Sequence, residues 1–349
     1  MSDAQPGAHA LRTNILRSVS RSFYLSIRFL PPQLREPIAL AYLLARTTDT
    51  VADTGRIPGT VRIQTLKILA DAIQAKASRE VVISQVASFV PLQENAAERT
   101  LLESLPDSLE WLEQTGRADR EDIRAVLEKI THGQMLDLHR FDPPAVRRDG
   151  SALANNPAQV RALKIAPDLD EYTYLVAGCV GEFWTRLCFR HLRDFASLTQ
   201  DEMLALGRRY GMALQLINVL RDAGNDLRAG RCYFPEAELG EVGLSAAQIL
   251  SESDRFQPIY QRWIEKAQDG LACGMQYSRA IRNRRVRAAT ALPALIGART
   301  ITLLRRAGAS ALNQTIKVPR REVRAMILSL GMTFASREKI DAMFEQAKL

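Results

Sequence analysis

Aromatic residues are scarce: Phe, Trp and Tyr make up 6 % of the 349 residues. Aliphatic side chains must therefore fill most of any core. Cysteine is scarce as well, with Cys179, Cys188, Cys232 and Cys273 alone, and none stands at disulfide-framework or metal-ligand spacing. That excludes a stapled secreted scaffold and a zinc ribbon, and reads as buried thiols in a reducing compartment. The four histidines are scattered. No apolar run reaches the ~18 residues that suggest a transmembrane helix. The first ten residues, MSDAQPGAHA, lack the apolar segment of a signal peptide and read as a loose tail over 1–10. No GxGxxG segment occurs, so any nicotinamide would be held without a Rossmann unit. No alternating strand series, short repeat or low-complexity linker is present. These absences place the chain in the cytoplasm, with peripheral contact to a membrane as its closest approach to lipid.

What is present is helical spacing. Apolar residues account for 46 % of the chain, enough for a sizeable core. Between Pro and Gly breaks, the segments 11–29, 34–53, 61–89, 95–115, 120–140, 169–191, 199–227, 245–250, 254–282 and 285–307 carry the 3.6-residue period of helices. Pro37 fits a first turn. Pro143-Pro144 through Pro167 is a polar, breaker-rich loop. The pattern predicts an all-α, single-domain fold over 11–349. Net charge is +8, which suits a polyanionic substrate, an anionic membrane or nucleic acid. A basic helical nucleic-acid binder would cluster its cations on one face without an acidic cavity. The acidic motifs below argue against nucleic acid.

The stretch QLINVLRDAGNDLRAGRCYFP, residues 215–235, carries the chemistry. Gln215, Asn218, Asp222 and Asp226 stand at i, i+3, i+7 and i+11, so one helix face carries two amides and two carboxylates. Paired carboxylates one turn apart are costly unless a cation sits between them. Hard oxygen donors without nearby His or Cys suit Mg²⁺ rather than zinc. Arg221, Arg228 and Arg231 follow, and arginine is the natural partner of a diphosphate. The stretch AYLLARTTDTVADT repeats the idea, with Arg46, Asp49 and Asp53 at i, i+3 and i+7 and Tyr42 one turn earlier. One acidic pair of this kind is common on a solvated face. Two such pairs, each in a mainly apolar helix beside arginine, point to binding of diphosphate through Mg²⁺.

Several further residues admit two readings. Ser20, Arg21, Ser22 and Phe23 can place a hydroxyl and a guanidinium on diphosphate, or form an ordinary helix start. Tyr172 can stabilise a carbocation through its ring and relay a proton through its hydroxyl, or sit in the core with its hydroxyl satisfied. Ala177, Gly178 and Gly181 serve close helix packing or leave room for a chain. Gln134 and Asp137, one turn apart, line a cavity or form a polar face. The run RAIRNRRVR over 279–287 holds five arginines. It is a solvated basic face, a surface for anionic lipid, or a cofactor phosphate site.

These residues carry a family resemblance. Asp49-Thr-Val-Ala-Asp53 and Asp222-Ala-Gly-Asn-Asp226, the latter followed by Gly230-Arg231 and Tyr233-Phe-Pro235, resemble the two aspartate motifs of the squalene/phytoene synthases. Ser20-Arg-Ser-Phe23 resembles that family's SRSF segment. Tyr172 with Val176-Ala-Gly178 and Gly181 resembles its YxxxVAGxVG segment. Relatives usually carry an acid where Ala52 and Asn225 stand, so this chain offers fewer candidate metal ligands. Leu292-Pro293-Ala-Leu-Ile296 and Ile316-Lys-Val-Pro319 resemble the C-terminal region of squalene synthases.

The resemblance implies the isoprenoid synthase fold, a helical bundle around a central cavity. It implies Mg²⁺ on Asp49, Asp53, Asp222 and Asp226, and farnesyl diphosphate against Ser20, Arg21, Phe23, Arg46, Gln215, Asn218, Arg221 and Arg231. Tyr172 is implied in catalysis, and Lys317, Arg320 and Arg321 in holding NADPH. The implied reaction condenses two farnesyl diphosphates head to head into presqualene diphosphate and reduces this to squalene, in a chain expected to act as a monomer. A phytoene- or dehydrosqualene-type synthase, which needs no reductant, is the alternative. A non-catalytic member would be expected to have lost the acids retained here.

Overall fold

The structure, a computed structural model, describes residues 15–142 and 160–349, the side chains of 20–26 excepted. The tail expected over 1–10 lies outside the described residues. So do residues 143–159 of the loop expected up to Pro167. The chain groups into two compact units, one comprising Met1–Pro144 with Arg186–His191 and the other Ala145–Thr185 with Leu192–Leu349.

The first unit is a set of helices: α1 (Leu16–Phe29), α2 (Pro32–Asp53), α3 (Gly59–Ile73), α4 (Arg79–Ala87), α5 (Ala96–Glu103), α6 (Leu105–Gln114) and α7 (Arg117–Phe141). Proline at the first position of α2 supplies a helical φ and no wasted donor. Leu40, Leu43, Leu44 and Val51 of α2 are fully buried, on the sides of α2 that pack on α3, α6 and α7. Two segments expected to be single helices are broken. In 61–89, Ala75 turns left-handed at φ +58°, and Lys76 N–H closes the end on the Asp71 carbonyl at 2.7 Å. In 95–115 the break falls at Ser104, one residue before the Leu105-Pro106 start of α6. Spacing alone carries through both breaks because apolar residues resume in phase.

The second unit contains β1 (Arg161–Leu163), α8 (Ala166–Thr173), a π-turn (Tyr174–Gly178), α9 (Cys179–His191, whose last six residues group with the first unit), α10 (Gln200–Arg228), β2 (Arg231–Pro235), α11 (Glu236–Glu241), α12 (Ser253–Ala280), α13 (Arg284–Ala307), α14 (Arg320–Met332) and α15 (Arg337–Ala347). A capping box, Thr199 with Glu202, starts α10. The two strands, unforeseen in the periodicity, pair in parallel with Arg161 opposite Arg231 and Ala162 opposite Cys232. They are too short for alternation to register.

α10 is the spine of this unit, packed against α12 along its length. Glycines set its approach to the π-turn and α9. A Cβ on Gly181 would lie 2.0 Å from the Gly207 carbonyl oxygen, and one on Gly211 would lie 2.3 Å from the Ala177 oxygen. Ala177, Gly178 and Gly181 therefore take the packing role of their two readings. The few aromatics concentrate here: Phe234 and Phe256 meet edge to face at 4.7 Å, with Tyr260 beside them. All four cysteines are buried and unbridged, as expected. Four arginines of the 279–287 run, Arg279, Arg282, Arg284 and Arg285, form an exposed basic face, and the fifth is structural. Arg287 is buried and donates to the carbonyls of Ile281 at 2.6 Å and Ala335 at 2.9 Å. Arg279 pairs with Asp341 and Arg282 with Asp194. Among the described residues no helix is long and apolar enough to cross a membrane.

Candidate functional site

The acidic stripe of the first unit lies on the last two turns of α2. Burial of Leu43, Leu44, Thr47, Thr48 and Val51 leaves Arg46 and Asp49 partly open, the latter with 42 % of its side chain exposed. Arg46 binds Asp49 through Nη1 and Glu98 of α5 through Nη2, the latter at 2.7 Å. Surrounding protein desolvates the Asp49 carboxyl, the Asp53 charge adds to the effect, and Arg46 only partly opposes them, so its pKa rises to about 7. Half-open by area yet short of water, the Asp49 carboxyl holds its proton to higher pH than an ordinary carboxylate. Ala52 is buried, and its carbonyl accepts from Arg62, which also pairs with Asp142. Tyr42 donates through its hydroxyl to the Val19 carbonyl at 3.2 Å.

The second stripe runs along α10. Leu216, Ile217, Val219, Leu220, Ala223 and Leu227 are buried, and Gln215, Asn218, Asp222 and Asp226 are half-buried, as the spacing predicted. Each acid meets a guanidinium. Arg221 grips Asp222 with two bonds, of 3.0 and 2.5 Å. Arg231 reaches Asp226 at 2.9 Å, because Gly230, at φ +83°, turns the chain out of α10 into β2. At the other end, Asn218 donates to Gln215 at 3.3 Å and Gln215 to the Tyr172 hydroxyl at 3.5 Å. The Tyr172 ring stacks on Tyr233 with centroids 5.1 Å apart. Side-chain contacts thus link Asn218 through Gln215 to Tyr172 at one end of the stripe, and each acid to its own arginine at the other.

Other candidates fall elsewhere. Ser20, Arg21 and Phe23 belong to α1, and their side chains lie outside the described residues. Arg228, grouped with the diphosphate partners by position, instead holds the Leu312 carbonyl at 3.0 Å and Asn313 at 2.9 Å. Asn225 is exposed. Gln134 is buried with its side-chain oxygen unbonded among the described residues, one turn before half-buried Asp137. Lys317, Arg320 and Arg321 are exposed at the start of α14. Reading the sequence missed Glu98, which lies 52 residues from Arg46 with no local signal. It also missed Tyr233 as the partner of Tyr172, although the Tyr-Phe-Pro segment was visible.

Among the described residues no group of three or more His, Cys, Asp or Glu side chains gathers as a metal site. The acids come in pairs. Pairs of hard oxygen donors fit Mg²⁺, which is held through one or two carboxylates together with water and substrate phosphate, and they fit zinc poorly.

Residues 16–322 match the family described as Squalene/phytoene synthase. The chain is 28 % identical over 257 residues to a bifunctional lycopene cyclase/phytoene synthase of Phaeosphaeria nodorum, covering 72 % of this chain and 38 % of that one. It is 28 % identical over 269 residues to a presqualene diphosphate synthase of Sinorhizobium fredii, covering 77 % of this chain and 75 % of that one. The chain thus spans well under half of the first relative and three quarters of the second. The fold is shared with the structure of TcSQS in complex with the ligand E5700, at a TM-score of 0.71, 18 % identity and coverage of 98 % and 97 %.

Proposed function

We propose, from the premise that this chain belongs to the squalene/phytoene synthase family, that it condenses two farnesyl diphosphates head to head into presqualene diphosphate and carries this on to squalene. The observation that supports the reading most is the pair of aspartate stripes with arginine bonded directly to the acids. Asp49, Asp53, Asp222 and Asp226 would hold Mg²⁺, which when bound supplies the charge that makes a diphosphate a better leaving group. Arg46, Arg221 and Arg231 can turn from the acids to diphosphate oxygens, with Ser20 and Arg21 as further partners and Gln215 and Asn218 aligning the substrate. Loss of diphosphate leaves an allylic cation. The Tyr172 ring, fixed by its stack on Tyr233, would stabilise that cation through its π face. The second farnesyl group attacks through its C2–C3 double bond, and loss of a proton closes the cyclopropane. The Tyr172 hydroxyl, accepting from Gln215, would take part in that proton transfer.

NADPH, when bound, supplies hydride for the second half-reaction. Lys317, Arg320 and Arg321 suit its 2′-phosphate by charge and by their place at a helix N-terminus. The net charge of +8 supports peripheral contact with an anionic membrane, and we read the chain as a monomer. A second reading, a phytoene- or dehydrosqualene-type synthase that stops without hydride, draws on the equal identity to the phytoene synthase relative.

Incubation with farnesyl diphosphate, Mg²⁺ and NADPH, followed by mass spectrometry, tests both. Squalene should form only with NADPH, and omission should leave presqualene diphosphate. A C30 or C40 polyene formed equally in both conditions would favour the second reading. Replacing Lys317 and Arg320 with Ala should raise the NADPH requirement more than the farnesyl diphosphate requirement, by ~1–3 kcal/mol of lost charge-assisted hydrogen bonding.

A further inference from the structure

Three of the seven large apolar side chains exposed among the described residues fall in one short segment: Leu328 at 63 %, Met332 at 74 % and Phe334 at 71 %. Single exposed apolar residues are ordinary, but a cluster marks a contact surface. α14 buries only Leu330 and is tied to α13 by the Arg299–Glu322 pair at 2.8 Å. Arg321, Arg324, Leu328 and Met332 stand at i, i+3, i+7 and i+11, one stripe whose four members are all exposed. It is basic at its start and apolar at its end.

The backbone after α14 adds an independent sign. Phe334 and Ala335 are consecutive non-glycine residues, both left-handed at φ +50°, a conformation disfavoured for any residue with a Cβ. Ala335 is buried, donates to the Leu330 carbonyl at 2.9 Å and accepts from Arg287 at 2.9 Å. With Ala335 pinned inward, Phe334 is turned out to solvent. Folding gains nothing from a bulky apolar ring there, and glycine or asparagine would fit the backbone better.

We propose that α14 and the loop after it dock on the surface of an anionic bilayer. Leu328, Met332 and Phe334 enter the headgroup boundary and Arg324 meets lipid phosphate. Charge supports this occupant. α14 carries Arg320, Arg321 and Arg324 against one acid, Glu322, which is already paired with Arg299. Beyond the loop, exposed Lys339 stands beside exposed Glu338. A second copy of the chain is a poorer fit. Three side chains, even at the ~200 Å² of a large aromatic each, fall short of the ~800 Å² per partner of a stable interface. The proposal deepens the peripheral membrane contact suggested above and does not depend on which synthase reaction the chain performs.

Flotation of the full chain with phosphatidylcholine vesicles, with and without phosphatidylglycerol, tests it. The wild type should float with the anionic vesicles and far less with the neutral ones. Leu328→Ser with Met332→Ser, and Phe334→Asn alone, should each lower the bound fraction roughly tenfold, and Arg324→Glu should lower it on anionic vesicles only. Phe334→Asn should also melt at the same temperature or higher, because asparagine tolerates the left-handed backbone. A purely structural Phe334 would give the opposite sign. No flotation of the wild type would refute membrane contact itself. Equal flotation of wild type and variants would refute this surface while leaving membrane contact standing. Loss of a dimer by light scattering in the variants, with flotation unchanged, would assign the stripe to a second copy and overturn the proposal. Product formation in detergent should stay unchanged in all three variants, which separates this test from that of the reaction.

Discussion

In α2, Arg46 divides its guanidinium between Asp49 and Glu98, whereas in α10 Asp222 and Asp226 each bond an arginine of their own. The spacing of the acids is the same on both helices. On the first, Asp49 is short of positive charge, and desolvation and Asp53 push its pKa to about 7. On the second, the acids are already neutralised by Arg221 and Arg231. Each stripe also ends at a tyrosine in a different condition. The Tyr42 hydroxyl is spent on the Val19 carbonyl and its pKa is raised by burial. The Tyr172 hydroxyl accepts from Gln215, and its ring stacks on Tyr233. The same spacing therefore leaves Asp49 sharing one arginine with Glu98 on the first helix and gives Asp222 and Asp226 an arginine each on the second.

The largest expected effects come from the acids. Asp49→Asn and Asp222→Asn should each lower turnover by ~10²–10³-fold through lost leaving-group stabilisation, measured as product formation with Mg²⁺. Their melting temperatures without metal should diverge. Asp49→Asn removes a repelled carboxylate and should melt higher. Asp222→Asn leaves Arg221 without its partner and should melt unchanged or slightly lower, since exposed pairs contribute ~0–1 kcal/mol. Identical melting shifts would break the contrast drawn between the helices, and near-normal turnover in both would sink the metal assignment.

Next come the tyrosines. Tyr172→Ala should lower turnover ~10²-fold and Tyr172→Phe about tenfold, with binding of a non-ionisable diphosphate analogue nearly unchanged in both. Tyr42→Phe should do the reverse, costing ~1 kcal/mol of stability with turnover kept. Equal losses at the two positions would show that the stripes end alike.

A smaller effect concerns pH. Asp49 ordinarily titrates at 3.8 and in the folded chain at about 7. Between those values the folded form keeps a proton that the unfolded chain has released, so the contribution is intact below 3.8 and is lost as pH rises through about 7. The metal-free wild type should therefore lose melting temperature between about pH 5 and about pH 8 more steeply than Asp49→Asn. Superimposable melting profiles would contradict the raised carboxyl. The smallest effect is at Glu98. Glu98→Gln returns Arg46 wholly to Asp49 and removes a repelling charge. The acid limb of the activity profile should then move to lower pH by less than about one unit, with kcat at high pH unchanged.

The helices were legible where apolar residues kept phase over several turns, as in α2, α7 and α10. The stripe Gln215, Asn218, Asp222 and Asp226 was legible because a helix of known period assigns faces without knowing its neighbours. The breaks at Ala75 and Ser104 were not, since the period resumes across them and only φ reveals the turn. Strands β1 and β2 pair segments about 70 residues apart, Arg161 with Arg231, and nothing in either segment names its partner. The Arg279–Arg287 run was legible as a charged face at Arg279, Arg282, Arg284 and Arg285, which are exposed, but not at Arg287, which is buried on carbonyls.

By itself, the sequence determined the helical class, the acids and arginines available, and the face on which each stands, because these follow from local period and side-chain chemistry. Tertiary structure alone decided which charge meets which. Glu98 reaches Arg46 from another helix, Gly230 turns Arg231 back onto Asp226, and Tyr233 comes to rest on Tyr172. Charge pairing and desolvation depend on distance in space, so a carboxylate's pKa and a tyrosine's freedom are set by neighbours that sequence separation does not reveal.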